Sequence, residues 1–62
     1  MLPALVWPPM SRADRVRLAT STVEGELAGG KDLQDAIFDA ARAFRVAPAA
    51  IWRELEMRQV KE

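Results

Sequence analysis

"AARAFRVAPAAIWREL", residues 40–55, says more about the fold than any other stretch of this chain. Ala40, Ala41 and Phe44 close an amphipathic helical segment, and Ile51 and Leu55, four residues apart, form the inner edge of another. Val46 lies between them as a further apolar residue. Pro48 suits the first position of a new helix, where a missing N–H costs nothing and the fixed φ is already helical. The stretch therefore predicts two helices joined by a very short turn.

Toward the N-terminus, Leu33, Ile37, Ala40, Ala41 and Phe44 fall within about one-third of the helical circumference at 100° per residue. Asp32 precedes them as a cap, with Asp35 at the third position, which predicts a helix over about 33–45. Arg42 and Arg45 fall on its far side, with Asp35 and Asp39 near them. "GG" at 29–30 reads as the stop of an earlier helix, because glycine accepts the left-handed conformation past a helix end. That helix, about 12–28, opens at "SRAD", with Ser11 capping and Asp14 three residues on, suited to a reciprocal bond. Ala13, Val16, Thr20, Val23 and Leu27 recur on one face, and Gly25 costs about 1 kcal/mol inside a helix, which predicts a loose last turn. The third helix runs over about 48–60. No segment alternates as a strand does, and there is no internal repeat. The fold class is all-α, a small three-helix bundle.

"MLPALVWPPM", residues 1–10, is different in kind. Pro3, Pro8 and Pro9 favour an extended or polyproline path. This predicts two parts: an extended, apolar, Pro-rich arm at 1–10 and a three-helix domain at 11–62. Leu2, Leu5, Val6 and Trp7 should not all sit in water, so the arm either folds back on its own helices or lies on a second subunit. The stretch lacks a basic start and is too short to span a bilayer. A cytoplasmic protein without membrane attachment is the expectation.

Composition narrows the chemistry. Sixty-two residues make one domain at most, and a chain this short buries only about 60% of its unfolded surface. Such domains commonly need a staple or a partner. Without cysteine there is no disulfide or thiolate, and without histidine the commonest general base and metal ligand are missing. Oligomerisation, as a homodimer, is the staple that remains. Asp32, Asp35 and Asp39 follow one another at helical steps, but with no second ligand cluster they read as helix-start electrostatics. Ser11, Thr20, Ser21 and Thr22 have no base to activate them. "GG" beside one lysine lacks the spacing of a phosphate loop. The expectation is no enzyme, no metal, no cofactor and no small-molecule substrate.

The nine Lys and Arg balance the nine Asp and Glu, which argues against strong non-specific binding to nucleic acid. Yet the basic residues are seven Arg and two Lys, and Arg is the residue suited to bidentate contact with phosphate, guanine or carboxylate.

With its small residue at Ala41, apolar residues at Phe44 and Val46 around the turn, and a branched residue at Ile51, the 40–55 stretch resembles the helix-turn-helix DNA-binding family. The segment "DRVRLATSTVEGELAGG" before it is distantly similar to the helix preceding the motif in trp-repressor-like domains. The chain departs from the family at Arg45, where a glycine is usual, and at Ala47, where a capping Ser or Thr is common. The resemblance implies a tri-helical DNA-binding transcriptional regulator acting as a dimer. Ala49, Arg53 and Glu56 would contact bases, with Arg53 as the guanine reader. Lys31, Arg42 and Arg45 would hold the DNA backbone.

A second reading stays open beside it. Leu18, Phe38 and Met57 point away from the predicted core, and with Trp7 on the arm they suit a dimer seam or a patch for a protein partner, for example of the transcription machinery. Alternatively, they seal the arm onto its own domain. Arg42 and Arg45 also read as a plain solvated face, paired to Asp39 and Asp35. Trp52 reads as a core-rim residue.

Overall fold

The computed structural model describes residues 10–60 and places three helices there: α1 (Arg12–Ala28), α2 (Leu33–Phe44) and α3 (Pro48–Val60). The predicted arm, and with it Trp7, lies outside the described residues, apart from Met10.

Each boundary has a local cause. Ser11 Oγ accepts from the Asp14 N–H at 3.1 Å and caps α1. The expected reciprocal bond from Asp14 is replaced by an ion pair, its Oδ1 meeting Arg17 at 3.5 Å. At the far end of α1, Gly30 takes φ 99°. The Gly30 N–H then donates to Leu27 O (3.0 Å) and the Lys31 N–H to Glu26 O (2.9 Å), the bond pair of a Schellman stop. The last turn containing Gly25, expected to be loose, is helical through Ala28.

Asp32 caps α2 by accepting from the Gln34 N–H at 3.2 Å. This helix stops at Phe44, one residue earlier than its periodicity predicts, because Arg45 turns left-handed at φ 58° and ψ 50°. The Val46 N–H then reaches back to Ala41 O at 3.0 Å. Three residues, 45–47, join α2 to α3, and Pro48 opens α3 as its residue type predicts. The Ala50 N–H donates to Ala47 O at 3.0 Å, while the Ala47 methyl offers that helix start no side-chain acceptor.

The core is small and rich in alanine: Ala19, Val23, Ala36, Ile37, Ala40, Ala41, Ile51 and Leu55 are buried, with Leu27, Leu33, Phe44 and Val46 packed against them. Helix α1 packs on both partners, more extensively on α2. Two neighbours explain where the expected stripe of α1 shifts. Ala19, on the same flank as Arg15 and Glu26, is fully buried, whereas Ala13 in the first turn is exposed. Thr20 is buried as well, its hydroxyl satisfied by donating to Val16 O at 2.7 Å.

Side-chain contacts give the helix directions. Arg15, near the start of α1, donates to Arg45 O at 3.2 Å and, more weakly, to Phe44 O at 3.5 Å, just past the end of α2. Helices α1 and α2 are therefore antiparallel. Arg12 shares a surface depression with Ala49, Ala50 and Arg53, while Arg58 meets Arg17 O at 3.4 Å and Glu24 at 2.8 Å. Advancing along α3 thus advances along α1, and the two helices run in the same sense.

Candidate functional site

These directions bring the start of α1, the 45–47 turn and the start of α3 to one end of the bundle. Arg12, Arg15, Arg42, Arg45 and Arg53 belong to that end, five of the seven arginines in the sequence. The opposite end, where α1 stops and α2 starts, holds Glu24, Glu26, Asp32 and Asp35. In a chain of zero net charge, arginines thus outnumber carboxylates at the first end, where Asp14 is paired with Arg17. Carboxylates outnumber cations at the other, where Lys31 and Arg58 are paired with them.

The arginines fall into two groups by what they touch. Arg15 is a structural fastener: it holds the turn carbonyls, and its Nε is buried without a hydrogen-bond partner. Arg58 ties α3 to α1, donating to Glu54 at 3.3 Å, Glu24 at 2.8 Å and Arg17 O at 3.4 Å. By contrast, the side chains of Arg12, Arg42, Arg45 and Arg53 make no ion pair or hydrogen bond among the described residues, and all four are exposed. The expected pairing of Arg42 and Arg45 with Asp39 and Asp35 is not made. Asp39 instead accepts from Lys31 at 2.7 Å.

Lys31 lies at the opposite end, in the α1–α2 connection. It bridges Asp39 (2.7 Å) and Glu26 (3.7 Å). The hydrogen bond and charge of Asp39 hold the Lys31 ammonium above its ordinary pKa, and the same bond from Lys31 holds the Asp39 carboxyl below its own. The fold thus brings Arg42, Arg45 and Arg53 to one end and leaves Lys31 at the other. Of the residues expected to face bases, Ala49, Arg53 and Glu56 are exposed on α3.

Between the first turns of α1 and α3 lies an open-sided depression of about 360 Å³, lined by Arg12, Ala49, Ala50 and Arg53. Arg12 is absent from the sequence-based site because helical spacing reports directions within one helix and nothing about neighbours. No spacing in the sequence signals it; the packing of α1 beside the start of α3 is what brings Arg12 there.

Large apolar side chains remain exposed elsewhere: Met57 (63%), Phe38 (53%), Leu18 (46%) and Trp52 (42%), with Met10, the one described residue of the expected arm. Leu18, Phe38 and Met57 face away from the core as their helical positions predict, each on a different helix. Trp52, nearly half exposed, sits farther out than a core-rim reading implies. Among the described residues, no helix is long and apolar enough to cross a membrane.

Compared with protein-family models, with curated proteins and with solved structures, the chain matches none; its assignment rests on the geometry of a compact, all-α, three-helix domain.

Proposed function

We propose that this chain binds duplex DNA as a small transcriptional regulator, with α2, the 45–47 turn and α3 working as a helix-turn-helix. The observation that carries the reading is the convergence of unpaired arginines where α3 begins. Phosphate contacts supply affinity and position, and a side chain reaching a base edge supplies specificity. Arg53, exposed in the second turn of α3, is the guanine reader, through a bidentate pair worth about 1–3 kcal/mol. Ala49 and Glu56 flank it on the outer face, facing a thymine methyl and a cytosine amine. Arg42 and Arg45 hold phosphates on the α2 side. Lys31 has no part in this surface, being distant from it and already paired. A symmetric dimer would present α3 twice along the duplex.

The experiment is selection from random-sequence duplex DNA over a salt series, with sedimentation on the same sample. The reading expects a selected sequence, a steep salt slope and a dimer mass. Arg53→Ala should lower affinity by about 1–3 kcal/mol and relax preference at one base position. Unchanged affinity and preference in that variant would remove Arg53 from the interface, and no binding at low salt would remove DNA altogether.

The exposed Phe38, Leu18 and Met57 support a second reading, a helical module that binds a protein without touching DNA. Phe38→Asp then abolishes a dimer or partner contact with the helical signal unchanged. An unaltered sedimentation mass and partner capture would count against it.

A further inference from the structure

We infer that the depression between Arg12 and Arg53 seats a phosphate group, which on the DNA reading above is a backbone phosphodiester beside the base pair that Arg53 reads. Its two charged walls come from different helices, and among the described residues no acidic residue lines it. Neither guanidinium has a carboxylate or carbonyl partner among the described residues. Ala49 and Ala50 complete the lining, and their short side chains leave room for a ligand oxygen near the backbone.

Several alternatives for the occupant fail on chemistry. Two guanidiniums with nothing between them repel, and an anion relieves that repulsion; a cation or an apolar side chain does not. Guanidinium geometry matches phosphate in a bidentate manner. The volume of about 360 Å³ is near the small end for small-molecule sites. Being open-sided, the depression does not enclose a small ligand but receives one unit of a longer polyanion. Arg12 then acts as a positioning contact. It anchors the start of α1 on the strand, and Arg53 shares that phosphate through one N–H while its remaining N–H groups face the groove.

This assigns different signatures to the two arginines. Each phosphate neutralised contributes about 0.9 to the log–log salt slope. Arg12→Ala should therefore lower that slope by about 1 and weaken binding about eightfold at 0.1 M salt, equally for every DNA sequence. Arg53→Ala should change sequence preference as well. Arg17→Ala serves as the control, since Arg17 is one and a half turns away and paired with Asp14. Circular dichroism checks that each variant keeps its helices.

The test is a salt series on wild type, Arg12→Ala and Arg17→Ala with random-sequence duplex, beside an amide-shift titration of the wild type and Arg12→Ala with inorganic phosphate. A slope reduced in Arg12→Ala alone, with base preference kept, supports the inference. An unreduced slope, or altered base preference in Arg12→Ala, overturns it while leaving the DNA reading standing. If the wild type binds no DNA, that reading falls separately and the phosphate titration decides. Shifts at Ala49, Ala50 and Arg53 that vanish in Arg12→Ala support a phosphate site, and silence at those amides overturns it.

Discussion

At φ 58° and ψ 50°, Arg45 holds a left-handed conformation that costs a residue with a Cβ about 1–2 kcal/mol, whereas glycine takes it freely. The strain is held in place by its surroundings: the Val46 N–H bonds to Ala41 O, and Arg15 bonds to the Arg45 carbonyl. Arg45→Gly should relieve the strain, while the more flexible unfolded chain returns part of the gain. The expected net is a stabilisation of about 0.5–1 kcal/mol by urea or thermal unfolding, and a loss of stability would show that the side chain itself supports the turn. On the DNA reading, the same variant weakens binding as it stabilises the fold. Opposite signs in two measurements on one residue are the mark of a side chain kept for the surface.

At the scale of elements, how legible each helix is depends on how many neighbours it has. The stripe of α2 reads directly from Leu33, Ile37, Ala40, Ala41 and Phe44, all of them buried or packed against the core. The stripe of α1 reads only in part, since Ala19, outside the expected stripe, is fully buried and Ala13 is exposed. Periodicity gives a direction around one axis, and burial on two flanks widens that direction beyond a single stripe. The stop at Gly30 and the start at Pro48 are legible because each depends on one residue's backbone chemistry. The stop at Phe44 is not, because an arginine gives no sign of the left-handed turn that Arg45 takes. The partners of Arg15, and those of Arg58 on α1, at separations of about thirty residues and more, are not legible, because no local rule reaches that far. Within α1, Gly25 is helical, and a Cβ built there meets nothing within 4 Å. Gly25→Ala should therefore stabilise the protein by about 1 kcal/mol. In a domain of this size that raises the melting temperature by roughly 4–8 °C. No gain in thermal unfolding would mean that the last turn of α1 is already frayed.

Over the whole molecule, stability is shared between a small alanine-rich core and a few ties that cross between helices. The Lys31–Asp39 pair is one such tie, joining the α1–α2 connection to α2. Asp39 is held below its ordinary pKa in the folded state, so the pair stabilises the fold at neutrality and up to the Lys31 titration. That contribution is lost as pH falls through the lowered Asp39 value, below about 3.9. Lys31 is raised, so its half is present below about pH 10.4 and is lost as pH rises through the raised value. Lys31→Met should return the Asp39 titration, followed by carboxyl chemical shift, to the ordinary aspartate range. An unmoved midpoint would assign the shift to another cause.

The sorting of arginines from carboxylates has a consequence that net charge conceals. Among the described residues, an excess of arginine at one end and of carboxylate at the other contributes an electric dipole moment along the bundle. In a uniform field such a body feels a torque and no net pull. Near a polyanion the field is strong and falls within about a Debye length, so the protein turns first, presenting the start of α3, and is drawn in only at close range. The same moment lets one protein adhere weakly to both cation and anion exchangers at its isoelectric point, a behaviour that a uniformly neutral surface does not have.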